Sequence, residues 1–301
     1  MGRYLMRTGL SLLLAFSLIP QAHAAEAVKL RVTAPIYVDG KGSGIRQPEG
    51  VGCSKTQLVV ADTGNGRILR YDITGTSLTP VASIVLPQFP YPIRAQLDSK
   101  GGIYVLDGKL RKIGRISPSG EFMGYVDLQT VPGGTVVPKS IRVDSDDNLF
   151  VLDIFSARVL VLDAGGKVVR EIKFPAKFGF FSDLAIGPGG KIFLIDSVGK
   201  RLYAAPKGAG VFQAGSEILE EYLSFPSSLA VDGNGYIYVI DQNGSGIVIL
   251  GPDGSFRGRH LGMGWKTGFL RYPSQSCIDE NGYLFIANRE NNRIEVLSTA
   301  Q

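Results

Sequence analysis

The sequence predicts an all-β fold, a six-bladed β-propeller in which each blade is a four-stranded antiparallel sheet. Three observations lead to this prediction: a repeat of about 45 residues, short strand patterns separated by tight turns, and almost no helical periodicity along the 301 residues. Each copy of the repeat contains an aliphatic and aromatic run that ends in an acidic residue or its amide. These residues are Asp62, Asp107, Asp153, Asp196, Asp241 and Asn288.

The fifth copy, residues 225–256, shows the strands of one blade most clearly. Residues 232–235 (DGNG) predict a tight turn, because glycine and asparagine tolerate positive φ. Runs rich in β-branched and aromatic residues predict a strand on either side of this turn and one strand after each of the two turns that follow. These strands lie around Leu229 and Val231 and at residues 236–240, 247–250 and 255–259. A unit of four short strands in this length is typical of a propeller blade.

The two ends of the chain predict how the ring closes. One blade cannot bury both of its faces alone, so six blades are expected to stack around an axis. The last copy ends after its third strand, residues 293–297, and therefore lacks a fourth. Residues 28–34 (VKLRVTA) have the pattern of the missing strand. Pairing them into the last blade would close the ring and remove two exposed sheet edges.

Three segments resemble the NHL repeat: ADTGNGRILRYD (61–72), FPSSLAVDGNGYIYVID (225–241) and IANRENNRIEVL (286–297). The resemblance covers nearly the whole chain after its first residues and implies a six-bladed propeller. The fourth copy departs from the pattern, since Gly187 stands where an Asp is usual. Because this architecture hosts enzymes, sensors and scaffolds alike, the resemblance predicts the fold and leaves the function open.

Residues 1–24 are typical of a secretory signal peptide. Arg3 and Arg7 precede an apolar run at residues 10–19, and Ala24 fits the cleavage position. The apolar run is shorter than the roughly 20 residues of a membrane span. The sequence therefore predicts an exported protein, periplasmic or extracellular.

The remaining residues, 25–301, are predicted to form one propeller domain without a membrane span. The formal net charge of the whole chain is +5, which is modest for its length. Export together with this small charge predicts no nucleic-acid partner.

The only two cysteines, Cys53 and Cys277, fall in the first strands of the first and last blades. Those blades are neighbours if the ring closes, and the two positions have opposite parity along their strands, as a bridge between neighbouring blades requires. An oxidising compartment would allow a disulfide. Two small buried thiols remain the alternative.

The residues give little sign of catalysis, and no catalytic residue is assigned. An acid that recurs in every blade is expected to hold a turn, because a catalytic group is needed once. His260 is the only histidine after the leader, so a zinc site lacks ligands and no metal is assigned. A calcium site stays open, since oxygen ligands suffice. Acidic candidates without a common spacing are Glu49, Asp146, Asp147 and Asp183.

The longest predicted loops lie on one face of the disc, where strands enter the ring. Long loops on a rigid scaffold commonly carry recognition, and aromatic and basic side chains suit stacking and cation–π contacts. The predicted partner-binding residues are Arg94, Lys139, Arg142, Phe178, Phe180, Trp265, Lys266, Arg271 and Tyr272.

These features favour a non-catalytic binding or scaffolding propeller that engages another exported or envelope protein through its long loops, without a cofactor. Two alternatives remain open. One is a propeller lyase or lactonase with a calcium-dependent site at the axis, and the other is a module that binds a glycan or a peptide.

Overall fold

The computed structural model describes residues 28–300, so the predicted leader at residues 1–24 lies outside the described residues. Six four-stranded antiparallel sheets form a six-bladed β-propeller, as predicted. The first strand of each blade lies at the axis, and these six inner strands contact one another in turn around the ring. Within residues 28–300, no helix is long and apolar enough to cross a membrane.

The strands are numbered in chain order, and each blade is given from the axis outward. Blade 1 contains β2 (Gly50–Cys53), β3 (Gln57–Asp62), β4 (Arg67–Thr74) and β5 (Ser77–Ile84); blade 2 contains β6 (Pro92–Leu97), β7 (Ile103–Asp107), β8 (Lys112–Ile116) and β9 (Phe122–Tyr125); blade 3 contains β10 (Pro138–Val143), β11 (Leu149–Asp153), β12 (Arg158–Leu162) and β13 (Val168–Lys173). Blade 4 contains β14 (Phe181–Ile186), β15 (Ile192–Asp196), β16 (Arg201–Ala205) and β17 (Gln213–Ala214); blade 5 contains β18 (Pro226–Val231), β19 (Ile237–Asp241), β20 (Gly246–Leu250) and β21 (Phe256–His260); blade 6 contains β22 (Pro273–Ile278), β23 (Tyr283–Asn288), β24 (Arg293–Ala300) and β1 (Lys29–Val32).

The first strand of the chain closes the ring. β1 pairs antiparallel with β24, in a register that sets Lys29 opposite Ala300 and Val32 opposite Leu297. The pairing continues beyond the strand, because the Thr33 amide donates to the Val296 carbonyl at 2.9 Å. The predicted closure by the N-terminal strand is confirmed.

A disulfide joins the same two blades at the axis. Cys53 at the end of β2 is bonded to Cys277 in β22, with Cα atoms 6.0 Å apart, a separation usual for disulfides. The bond joins residues 224 positions apart in sequence. The first and last blades are therefore connected both by strand pairing at the rim and by a covalent bond at the centre.

Apolar side chains fill the space between neighbouring blades. Between blades 3 and 4, the rings of Phe181 and Tyr203 meet edge to face with centroids 5.2 Å apart. They belong to a buried cluster that also contains Phe150 and Val159 of blade 3. Each such buried side chain contributes roughly 1.5–3 kcal/mol, so blade stacking is a main source of stability.

The recurring acid has the structural role that the sequence predicts. The Asp196 carboxylate accepts hydrogen bonds from the amides of Gly179 and Phe180, which lead into β14, at 2.6 and 2.9 Å. It also accepts from the amides of Val198 and Gly199 in the turn after β15, at 3.1 and 2.7 Å. One carboxylate thus joins the segment that enters a blade to the turn between its second and third strands.

That turn has a left-handed residue at the same position in all six blades. The fourth residue after the recurring acid or amide is left-handed in each, with φ between 48° and 61°. These residues are Gly66, Arg111, Ala157, Lys200, Ser245 and Asn292. Because only one of the six is glycine, five blades carry a side chain in a conformation that L-residues disfavour.

Candidate functional site

The two faces of the disc carry different kinds of loop. The loop face bears the segments that lead into the inner strands and the turns between second and third strands. The turn face bears the tight turns between first and second strands. All the predicted partner-binding residues belong to the loop face or to the axial wall behind it. The segment that leads into blade 6, residues 261–272, lies beside the ring closure and is called the blade-6 loop.

A buried arginine holds the backbone of the blade-6 loop. Arg293, at the start of β24, is 3% exposed. Its guanidinium donates to the carbonyls of Trp265, Lys266 and Phe269 at 2.7, 2.6 and 3.0 Å. The same group pairs with the buried Glu295 carboxylate at 2.6 Å. The loop backbone is therefore fixed by charge-assisted hydrogen bonds from inside the blade.

Further polar contacts hold the loop from both sides. Glu295 accepts from the Gly268 amide at 2.6 Å. The Asn288 side-chain amide donates to the Phe269 carbonyl at 2.8 Å, and that of Asn291 donates to the Gly264 carbonyl at 2.9 Å. A loop fixed at so many points has little backbone entropy left to lose when a partner binds.

Several large apolar side chains of this fixed loop point outward, whereas Leu270 is buried. Trp265 is 75% exposed. The neighbouring segment joins the loop, since the Tyr37 hydroxyl lies 3.4 Å from the Thr267 hydroxyl and the Arg293 guanidinium lies 5.8 Å from the Tyr37 ring. The exposed apolar side chains of the two segments are called the aromatic patch. They are Tyr37, Val38, Met263, Trp265, Phe269 and Tyr272.

Exposed basic side chains lie in the same two segments as the aromatic patch. Lys266 and Arg271 are exposed within the blade-6 loop, and Lys41 and Arg46 are exposed in the neighbouring segment. The structure thus brings four of the predicted residues, Trp265, Lys266, Arg271 and Tyr272, onto one surface. The contribution of Tyr37 and Val38 was missed from the sequence, because they follow a strand whose place beside the blade-6 loop depends on the ring closure.

Phe178, Phe180 and Lys139 lie together at a different place, between blades 3 and 4. Phe178 is partly exposed but stacks on Phe181 with ring centroids 5.2 Å apart. Phe180 is half-buried, and the Lys139 ammonium lies 5.5 Å from its ring centroid. These three residues serve packing at least in part, and a role in partner binding stays a prediction.

Arg94 and Arg142 lie in the axial wall, where both are buried. The Arg94 guanidinium donates to the Ser140 hydroxyl at 3.3 Å and to the Glu49 carbonyl at 3.1 Å. Arg142 pairs with Asp183 at 2.8 Å, and burial is the main cause that lowers the pKa of its guanidinium. Neither arginine reaches the outer surface, so a partner could meet them only with a group that enters the axis.

Three of the four acids proposed from sequence as calcium ligands accept hydrogen bonds or ion pairs from the chain's own donors, and the fourth, Asp146, is exposed. Asp183 accepts from the hydroxyls of Ser140 and Ser228 at 2.5 and 2.6 Å, in addition to its ion pair with Arg142. Glu49 pairs with Arg289 at 2.9 Å.

Asp147 accepts from the Ser99 amide and hydroxyl, both at 2.7 Å. Over residues 28–300, no group of three or more His, Cys, Asp or Glu is placed to hold a metal ion. These acids therefore do not converge on one carboxylate cluster in the described part of the chain.

Two cavities open on the turn face. One of about 920 Å³ extends from the axis between blades 3 and 4, and its lining includes Cys53, Asp144, Arg170 and Lys207. A second, also about 920 Å³, lies between blades 5 and 6. Its lining includes Asp279, and burial raises the pKa of that carboxyl. The sequence did not predict either cavity, because the space between two blades depends on how their turns pack and not on a local pattern.

Comparisons with known proteins identify the fold. No family model and no curated protein matches the chain. A streptogramin B lyase structure superposes with a TM-score of 0.63 at 14% identity, covering 91% of this chain and 98% of that one. A virginiamycin B lyase from Staphylococcus aureus gives 0.61 at 14% identity, covering 91% and 100%.

A gluconolactonase from Xanthomonas campestris gives a TM-score of 0.64 at 14% identity, covering 91% of this chain and 96% of that one. Identities this low establish the architecture and not the activity. The NHL resemblance stays a prediction. The chain has the six-bladed fold found in lyase and lactonase propellers.

Proposed function

We propose that the protein is a non-catalytic recognition module that binds another exported protein through the aromatic patch. The observation that carries this proposal is the contrast within the blade-6 loop. Its backbone is held by the buried Arg293–Glu295 pair, whereas the Trp265 side chain is 75% exposed. A large apolar group displayed on a fixed backbone is typical of a protein-binding surface.

The energetics of association favour this interpretation. Tryptophan, tyrosine and arginine supply most of the binding energy in protein interfaces. Trp265 and Tyr272 would provide the buried apolar contacts, and Arg271 would provide a charged contact at the rim. Because the loop is already ordered, binding would cost little further conformational entropy.

The axis supports the same proposal by its chemistry. Hydrolytic or eliminating chemistry at the centre of the ring would need groups free to bind a metal or to move a proton. The buried axial carboxylate, Asp183, instead accepts hydrogen bonds from Ser140 and Ser228 and pairs with Arg142.

Site-specific crosslinking tests the proposal. A photoreactive amino acid at Thr267, beside the patch, should give one adduct of defined mass in the exporting cell, and Trp265→Ala should reduce its yield at least tenfold. Phe155→Ala is the matched control, because Phe155 is 68% exposed but lies on blade 3. An adduct that survives Trp265→Ala unchanged would refute the role of the patch.

A lyase or lactonase activity is the second candidate, favoured by the structural likeness over 91% of the chain. Such an enzyme is expected to carry a stoichiometric metal ion after purification. Elemental analysis of the purified protein distinguishes the candidates, and bound calcium at one equivalent would favour the enzyme. A glycan-binding role, the remaining alternative, predicts binding on a glycan array that Trp265→Ala abolishes.

A further inference from the structure

Two cations approach each other where the axis opens on the loop face. Lys139 follows Pro138 at the start of β10, and Arg94 lies on the neighbouring inner strand β6. The Lys139 ammonium contacts the Phe180 ring, at 5.5 Å from its centroid. Among residues 28–300, no carboxylate lies within 4.0 Å of that ammonium.

The electrostatic balance at this opening is positive. Burial and then repulsion from Arg94 hold the pKa of the Lys139 ammonium below its ordinary value, against weaker opposing effects of Glu49 and Asp183. Both acids are already engaged, Glu49 with Arg289 and Asp183 with Arg142. The positive charge of Lys139 is therefore poorly compensated by the protein itself.

An unpartnered donor lies near Arg94, on the other side of Gly50. Gln275 on β22 is fully buried, and its side-chain oxygen accepts from the Val51 amide at 3.0 Å. Its side-chain nitrogen has no hydrogen-bond partner within the described residues. A buried donor left unpaired costs about 1–3 kcal/mol, so the site favours an acceptor.

Arg94 and Gln275 approach one another across the first blade. Arg94 bonds the Glu49 carbonyl, and Gln275 bonds the Val51 amide two residues later. A side chain on Gly50, between them, would come within 2.9 Å of the Arg94 Cα and 3.1 Å of the Gln275 oxygen. The absence of a side chain at Gly50 thus lets Arg94 and Gln275 lie close together.

We propose that this opening is a binding site for a small oxyanion, a carboxylate or a phosphate. Lys139 and Arg94 supply the compensating charge, and the Gln275 side-chain nitrogen supplies a directed hydrogen bond. The three groups come from blades 3, 2 and 6, so the site exists only in the closed ring. It is independent of the aromatic patch.

Differential labelling of lysines tests this site in the unmodified protein. Acetylation is followed by mass spectrometry at constant ionic strength, with chloride replaced by inorganic phosphate. Phosphate should slow acetylation of Lys139 at least fivefold and leave Lys177, an exposed lysine on the same face, unchanged. The experiment is repeated with acetylated triglutamate in place of phosphate. Protection of Lys139 by this peptide but not by phosphate would identify an acidic segment of a partner protein as the source of the oxyanion.

Variants give a second measurement. Phosphate should raise the melting temperature of the wild type and of Lys177→Gln, and should not raise that of Lys139→Gln. Trp265→Ala should keep the full phosphate effect, which separates this site from the proposed protein-binding surface. The proposal is overturned if neither probe protects Lys139, if both lysines are protected equally, or if Lys139→Gln keeps the phosphate effect.

Discussion

The residue that ends the second strand of a blade is an aspartate wherever its neighbours are hydrogen-bond donors. In blade 6 two of the neighbours are acceptors. The Asn288 side-chain nitrogen donates to the Phe269 carbonyl at 2.8 Å and to the Glu295 carboxylate at 3.2 Å. A carboxylate at this position would face both oxygens and repel them. The replacement of Asp by Asn in the last repeat therefore follows from the presence of Glu295, which holds the blade-6 loop.

Ser245 is the least favourable of the six left-handed turn residues. Its φ is 49°, and its fully buried hydroxyl has no hydrogen-bond partner. Ser245→Gly should raise the free energy of unfolding by about 1 kcal/mol, because relief of backbone strain and of the buried hydroxyl outweighs the added chain entropy. Urea unfolding measures the change. Lys200→Gly, at the equivalent turn position, is the control and should gain less; a loss of stability in Ser245→Gly would contradict the account.

Lys139 predicts a specific dependence of stability on pH. Burial and repulsion from Arg94 lower the pKa of its ammonium in the folded protein, against Glu49 and Asp183. Between that lowered pKa and the ordinary lysine value near ~10.4, the unfolded chain binds more protons than the folded one, so stability rises with pH. Below this window the charged Lys139 is destabilising.

Urea unfolding of wild type and Lys139→Gln at several pH values from 7 to 10 checks this prediction. In the absence of phosphate, the variant should be the more stable at pH 7, and the wild type should recover as the pH rises. A difference between the two proteins that stays constant over this range would show that the Lys139 ammonium is not destabilised by folding.

Among the blades, blade 5 shows how one element compensates for a missing side chain. Blades 1 and 3 pair the recurring acid with an arginine five residues later, as Arg158 does with Asp153 at 3.1 Å. Blade 5 has Gly246 at that position. Arg259 from the outer strand β21 reaches across instead and pairs with Asp241 at 2.9 Å. The ion pair is kept, although its cation comes from another strand.

Gly246→Ala tests whether Arg259 takes the place of the arginine that pairs with the recurring acid in blades 1 and 3. An added Cβ would come within 2.9 Å of the Arg259 guanidinium, which is also held by the carbonyls of Tyr222 and Gly244. Displacing the guanidinium should lower the free energy of unfolding by about 1–3 kcal/mol. The matched control is Gly233→Ala, where an added Cβ meets no atom within 4 Å. Equal stability of the two variants would contradict the role of Arg259.

At the scale of the whole molecule, the ring is closed at two distances from its axis. The pairing of β1 with β24 closes the rim, and the Cys53–Cys277 bond closes the centre. The oxyanion site and the aromatic patch both depend on this closure, because the first combines residues of blades 2, 3 and 6 and the second combines the segments that lead into blades 6 and 1. Opening the ring should therefore affect both sites, whichever closure is lost.

Reduction of the disulfide measures the contribution of the central closure. Removing a bond between residues 224 positions apart should lower the free energy of unfolding by roughly 2–5 kcal/mol. Urea unfolding with and without reductant gives the difference, and the Cys53→Ser/Cys277→Ser variant should be insensitive to reductant. Mass spectrometry after alkylation without reductant should find no free thiol. Two alkylated cysteines in the native protein would contradict the bond.

The sequence by itself determined the number of blades, the four-stranded plan, the ring closure and the role of the recurring acid. These features depend on local patterns, namely strand periodicity, turn residues and a repeat near 45 residues, and each copy reports them again. Trp265, Lys266, Arg271 and Tyr272 could be grouped from sequence because they lie in one loop.

Only the tertiary structure decided which residues from different blades meet. Arg293 fixes the blade-6 loop from β24, Tyr37 joins it from the other end of the chain, and Gln275 faces Arg94 across Gly50. Such contacts depend on how the ring closes and on the angle between blades. A repeat pattern in the sequence does not predict which side chains meet as a result. The physical reason is that local propensity acts over a few residues, whereas packing at the axis brings together residues as distant in sequence as Cys53 and Cys277, which are 224 positions apart.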